Sequence, residues 1–311
     1  MTLTRTCPSP VAPLRRVVLS PVRSAFGADR FPEEQYTDPP GDPGLFGPDS
    51  VTWRIHADAS MLIGGVGAII LQTLHPLAMA GVAEHSDYRH RPFERLSRTS
   101  SFVTATTYAS TPAAEAIIAR VRAIHRRVAG IAPDGRAYRA DDPALLRWIH
   151  AAETSMFLAA HRRFHLLPVS PADQDRYCAE VTVVAERLGA TDLPASRAEL
   201  AAYFDAVRPE LRAGEQARDA LRYLRVPPFD RPALRGAYRL LLRAGIGLLP
   251  GWARDMLGLR PQPLLELSLV RPAAATLLGV MRVAGSPPVL LEQANARCAA
   301  SVGAGPRRPH G

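Results

Sequence analysis

Residues Glu84–Tyr108 read EHSDYRHRPFERLSRTSSFVTATTY. This stretch sets Arg89, Arg91, Arg95 and Arg98 beside Thr99 and several aromatic side chains. A glycine-bearing apolar segment precedes it, and a segment whose apolar positions recur with helical period, His125 among them, follows it. Anion-binding arginines between two apolar helical faces are the makings of a pocket for a flat, apolar, anionic ligand. The chain is therefore organised around Trp53 to Gly130, and the remainder reads as scaffold.

Working outward, Asp49 and Ser50 offer N-caps for a long helix starting near Val51 and carrying Trp53, Met61, Leu62, Gly64, Gly65, Gly67 and Ile69. Each glycine costs a helix about 1 kcal/mol against alanine, so three within four positions imply close approach of a neighbouring helix or of a ligand face. Pro76 either kinks this helix or opens the next. Thr111-Pro112 opens a further helix, which the pattern closes at Gly130. Ile117, Val121, Ile124, His125 and Val128 fall on one face of it. His125 there is either a satisfied core histidine or a ligand.

Pro133–Pro143 is a loop, and Pro143 begins a helix running to about His165, with His150, Thr154, Phe157, His161 and His165 on one face. His161 and His165 have metal-binding spacing, but HRRFH lacks the HExxH glutamate, and a place in the last helical turn suits the helix dipole instead. His150, beside Trp148, is the better pocket candidate. Helices are also expected from Pro171 toward Leu188, from Ser196 toward Arg208, over Gly214–Leu224, over Ala233–Leu249 and over Pro263–Leu278. No strand pattern of convincing length and no repeat is evident, so the expected fold is all-α. Residues 1–48 form a Pro-rich arm, 49–302 one helical domain and 303–311 a tail.

The 311 residues carry a net charge of +9, yet all 38 cationic side chains are arginine, scattered without a dense basic run. That distribution argues against nucleic acid as partner. Arg235, Arg239 and Arg243 share one face, a solvated row or a contact for anionic lipid headgroups at a membrane surface. Cys7, Cys178 and Cys298 form no CxxC pair and read as free thiols of a reducing compartment. Arg15-Arg16 is followed by an apolar run that Pro21 and Arg23 interrupt, and Met61–Leu71 is shorter than the ~20 residues of a membrane span, so a cytoplasmic protein is expected. GxSxG, P-loop and di-iron ExxH signatures are absent.

The segments HADASMLIGGVGAIILQTLHPLAMAGVAEHSDYRHRPFERLSRTSSFVTATTY, VRAIHRRVAG and ADDPALLRWIHAAE resemble the MpaB-type oxygenases, which include the rubber-cleaving latex-clearing proteins. The likeness is close over His56–Glu153 and looser through LLPGWARDMLGL. It implies an all-helical, globin-like core holding one b-type haem, and oxidative cleavage of an alkene with dioxygen. On the motif, the iron's proximal ligand falls on His125, and the distal Arg-x-x-Lys-Thr element on Arg95, Arg98 and Thr99, the catalytic candidates. Gly64, Gly65, Arg95 and His150 are the further haem-contacting candidates. Arg98 replaces the lysine, and a guanidinium that stays protonated cannot ligate iron. The expected partners are dioxygen and a small apolar substrate such as an isoprenoid. A non-enzymatic haem carrier or gas sensor, and a haem-free helical protein on a membrane surface, are the competing functions.

Overall fold

The computed structural model describes residues 33–86, 92–227, 229–284 and 289–300, apart from the side chains of 92–96, 284 and 289. The expected all-α fold is what these residues adopt. In chain order the helices are α1 (Glu34–Thr37), α2 (Val51–His56), α3 (Met61–Gln72), α4 (Pro76–His85), α5 (Pro92–Tyr108) and α6 (Thr111–His125). A hairpin follows, with β1 (Ala129–Ile131) antiparallel to β2 (Ala137–Arg139) and Gly130 opposite Tyr138. Then come α7 (Pro143–Phe164), α8 (Pro171–Leu188), α9 (Arg197–Val207), α10 (Glu215–Leu224), α11 (Pro232–Leu248) and α12 (Gly251–Met256). The last stretch comprises α13 (Pro263–Leu265), a π turn over Glu266–Val270, α14 (Arg271–Ala284) and α15 (Val289–Ala299).

Helix starts follow the side-chain chemistry. Ser50, Asp142, Ser170 and Ser196 each accept a backbone N–H of their helix, from Trp53, Ala144, Asp173 and Glu199 at 2.8–3.2 Å. Helix α7 is the central column: Trp148, Met156, Ala160 and Phe164 bury against Ile63, Ile70, Leu71 and Leu74 from the α3 side and Leu242 and Leu248 of α11. Each such large side chain contributes roughly 1.5–3 kcal/mol on burial.

The glycines of α3 make this packing possible. A Cβ on Gly64 would stand 3.0 Å from Phe157 Cδ1 and 3.1 Å from the Met156 carbonyl oxygen, and one on Gly67 3.3 Å from the Gly245 carbonyl oxygen. Of the two explanations for these glycines, helix packing accounts for Gly64 and Gly67. Gly65 is looser, its nearest neighbour being Phe157 Cε1 at 4.0 Å.

Three expectations need correction. The single long helix from Val51 is two, because the Asp58 carboxylate takes the Ser60 N–H at 2.9 Å and two guanidinium N–H groups of Arg282 at 2.8 and 2.9 Å. A side chain that competes for backbone donors ends a helix. Second, α6 closes at His125, not at Gly130: the chain turns through Arg126 and Arg127, and Gly130 lies in the hairpin. There the Tyr138 hydroxyl donates to Glu84 close to where a Cβ on Gly130 would sit. Third, the fully buried residues of α6 are Ala114 and Ile118, whereas Ile117, Val121 and His125 are half-buried and Ile124 is exposed. Pro76 opens α4, whose axis turns 104° from that of α3.

The segment before α2 is part of the core. Tyr36 is fully buried among Trp53, Tyr108 and Ala294. Arg297, 2% exposed on α15, donates to the carbonyl oxygens of Asp42 (2.8 Å), Tyr36 (2.9 Å), Tyr108 (3.0 Å) and Ala109 (3.5 Å). Asp42 in turn accepts the Thr111 N–H at 2.8 Å and hydroxyl at 3.0 Å, which fixes the start of α6.

Candidate active site

Helix α6 brings His125 to its last turn, on the half-buried apolar stripe with Ile117 and Val121. The ring's Nδ1 is buried and has no hydrogen-bond partner among the described residues. Burial lowers the imidazole's pKa, with the Asp141 charge opposing, so the ring is neutral near pH 7. A neutral imidazole with an unused buried nitrogen, beside an apolar surface open to a partner, has the chemistry of a metal ligand. Among the described residues no three His, Cys, Asp or Glu side chains converge as a metal site.

Helix α7 contributes the second set. His150, Thr154, Phe157 and His161 are buried along one face, as their spacing predicts. His150 Nε2 lies 3.5 Å from the Thr154 hydroxyl, and burial pushes its pKa down to about 4. One turn along, Glu153 Oε1 accepts from Gln72 Nε2 at 3.3 Å. Solvent reaches part of Glu153, yet it lies so deep that burial raises its carboxyl to about 7 against the Gln72 hydrogen bond. It is poised to hold or release a proton at neutral pH.

A polar relay lies alongside. His56 Nδ1 is 2.8 Å from the Thr107 hydroxyl on α5, and its Nε2 is 3.0 Å from the Tyr177 hydroxyl on α8. The ring edge-packs on Phe157 with centroids 5.6 Å apart, and burial pushes its pKa down to about 3. Tyr177 is raised well above its ordinary value by burial, and among several neighbouring groups the Glu153 charge adds to the rise. His56, Thr107, Tyr177 and Glu153 thus form a polar patch in an otherwise apolar interior.

Residues 53–282 match the family described as ER-bound oxygenase mpaB/B'/Rubber oxygenase, catalytic domain. The chain belongs to this family. It therefore carries an oxygenase catalytic domain, and the matched span includes His125, His150, Glu153 and the whole of α3 and α5–α7. No curated protein and no solved structure matches the chain.

Arg95, Arg98 and Thr99, the catalytic candidates of the sequence, lie on α5. Arg98 is exposed and Thr99 half-buried there, and the Arg95 side chain lies outside the described residues, as do Arg89 and Arg91. Gly64 is taken up by contact with α7, which leaves Gly65 as the glycine with open space before it. His161 and His165 stack at 4.3 Å with rings 12° apart, and His165 Nε2 lies 3.8 Å from Asp58. That arrangement joins them to the Asp58–Arg282 pair and not to His125. Glu153 and the His56–Thr107–Tyr177 chain went unsingled by spacing. The signal for Glu153 was its place three residues after His150, within the quoted ADDPALLRWIHAAE motif.

Proposed function

We propose that this chain is a haem b-dependent oxygenase acting with dioxygen on an apolar alkene substrate, with His125 as the side chain that would hold the iron. The supporting observation is the orphaned, buried Nδ1 of a neutral His125 on a half-buried apolar stripe. One histidine is all that a haem iron requires of the chain, and Val121, half-buried one turn before it, would suit a macrocycle's face. When bound, haem supplies an iron that activates dioxygen for insertion into the alkene.

The chain's own residues do the rest. His125, neutral near pH 7, would hold the haem iron through the lone pair of a ring nitrogen. Thr99 carries a hydroxyl able to donate a hydrogen bond, and Arg95 and Arg98 carry fixed positive charge that would suit an anionic propionate. Arg98, always protonated, would not itself hold the iron. Glu153, with a carboxyl near 7, can give or take a proton at neutral pH. The apolar surroundings exclude water and favour an isoprenoid-like substrate.

The test is His125→Ala. Alanine preserves the helix, so the variant should keep its helical circular dichroism while losing most bound haem, or shifting its Soret band, together with oxygen uptake. His161→Ala and His165→Ala should retain the wild-type spectrum. A full haem complement with an unchanged spectrum in His125→Ala would sink the axial assignment and make His150 the next residue to replace.

A further inference from the structure

The stretch Pro263–Val283 is 21 residues long, and its most apolar window has a mean hydropathy of 1.5, with only 17% of that window buried. A core helix of that composition would be mostly covered. Here Val270, Ala274 and Leu278, one per turn, form a narrow inward seam. Leu264 (83% exposed), Leu267, Leu269, Val280 and Val283 (78%) form a broad outward face.

The polar groups of this stretch, exposed Arg271 apart, are turned away from that face or satisfied within it. Glu266 meets Arg254 at 3.3 Å, and Arg282 forks onto Asp58. The Ser268 and Thr276 hydroxyls donate to the carbonyl oxygens of Leu264 (2.5 Å) and Pro272 (3.0 Å), four residues back along the chain. Exposed hydroxyls that return their donors to the backbone suit surroundings poorer in hydrogen-bond partners than water.

The apolar surface continues beyond the helix. Arg282 also donates to the Phe164 carbonyl oxygen at 3.0 Å, which brings the end of α14 beside the loop carrying Leu166 (84% exposed) and Leu167. Cations stand next to it. Exposed Arg162 precedes that loop, and Arg163 beside it donates to the Gly247 carbonyl oxygen at 2.6 Å and feels the positive charge of nearby Arg271, with Glu266 opposing.

We propose that this face, comprising Leu166, Leu167, Leu264, Leu267, Val280 and Val283, seats the protein in the plane of an anionic lipid surface. Arg162 and Arg271 would lie at headgroup level. The charge selects the occupant: a second copy docked through the same face would set these arginines against their own images, whereas anionic headgroups neutralise them. The inward seam and the Arg282–Asp58 fork tie the helix to the body, so it lies in the interface and does not cross the bilayer. The proposal stands independently of the haem reading.

Flotation of the full chain tests it, using vesicles of phosphatidylcholine alone or mixed with phosphatidylglycerol, with light scattering for oligomeric state. The wild type should float with the mixed vesicles, less so at high salt, and weakly with phosphatidylcholine alone. Leu267→Asp/Val283→Asp should lower flotation at least about tenfold, as apolar burial and headgroup attraction act together. Arg162→Gln/Arg271→Gln should lower it several-fold on mixed vesicles only. Both variants alter exposed positions, so wild-type melting temperatures are expected. Wild-type protein that fails to float, or an aspartate variant that floats equally well, would overturn the proposal. So would a non-floating wild-type dimer that the aspartates convert to monomer, which would give the face to a second copy.

Discussion

Gln72 Nε2 donates to Glu153 Oε1 at 3.3 Å across the interface of α3 and α7, and among the described residues it is the hydrogen bond found for that carboxyl. A single neutral donor does not offset burial, so the carboxyl is raised to about 7 from an ordinary value near 4.5.

The raised carboxyl makes the protonated form the one that folding favours. Its stabilising contribution is complete below pH 4.5 and is lost as pH rises toward 7. The loss at pH 8 should reach at most about 3 kcal/mol. Glu153→Gln, which keeps the shape and cannot ionise, should therefore be more stable than the wild type above pH 7 and close to it at pH 4.5. His56 and His150 act oppositely: held neutral at about 3 and 4, they contribute stability above 6.5 that falls away as pH drops. The difference between variant and wild type cancels their effect, so urea titrations at several pH values isolate Glu153. A constant difference across pH 4.5–8 would refute the raised carboxyl.

The three glycines of α3 differ in what a methyl group would meet. Gly64→Ala places a Cβ about as near the α7 backbone as real contacts allow, at 3.1 Å from Phe157 Cα and the Met156 carbonyl oxygen. Backbone yields poorly, so a loss of about 1–3 kcal/mol is expected. Gly65→Ala meets nothing nearer than 4.0 Å and should gain up to about 1 kcal/mol from helix propensity. If Gly65→Ala instead lowers haem retention without lowering the melting temperature, Gly65 adjoins the cofactor.

Helix α6 separates stability from function by face. Ile118, 2% exposed, belongs to the buried side, and Ile118→Asp should cost about 3 kcal/mol or more through an unpaired buried charge. Val121 is only half-buried on the stripe shared with His125, so Val121→Asp should stay folded and act on haem binding. Melting temperatures in the reverse order would show that the stripe is packed in the folded chain.

The sequence announced its helix starts because Ser170-Pro171, Ser196 and Asp142-Pro143 act locally, through caps that need no distant partner. The break between α2 and α3 has a local half, Asp58 taking the Ser60 N–H, and a distant one, Arg282, which lies 224 residues beyond Asp58 and which no local pattern encodes. Three-residue strands are too short for alternation to register, which hid the hairpin after His125. Of the candidate site, periodicity found the stripe bearing His125 and the α7 face bearing His150, since apolar spacing marks which positions avoid water. It did not tell a face packed by protein from one left half-open. An acid such as Glu153 on a helix reads as solvent-facing, so its depth emerged only once α3 lay against α7.

Arg297 is the last case, an arginine that a helical pattern assigns to the surface and the fold buries to 2% exposure. Its guanidinium donates to carbonyl oxygens from the segment before α2 (Tyr36, Asp42) and from the end of α5 (Tyr108, Ala109). Asp42 sits beside it; burial opposes that carboxyl's ionisation, but hydrogen bonds from Thr111 and Gly44 and the Arg297 charge hold it below its ordinary value. Three chain segments thus meet at one side chain, and one of them fixes the start of the helix that carries His125. Arg297→Met keeps the length and removes every donor, leaving buried carbonyl oxygens unpaired. The expected cost is about 3–5 kcal/mol. Arg297→Lys restores the charge but lacks the planar fork, so it should recover only part. Trp53, in the same apolar cluster as Tyr36 and Tyr108, reports on the region through its fluorescence. Loosening there should appear as a red shift in Arg297→Met before global unfolding. Wild-type melting and fluorescence in that variant would mean that water replaces the guanidinium without loss, and that α15 is not the clamp on the start of α6.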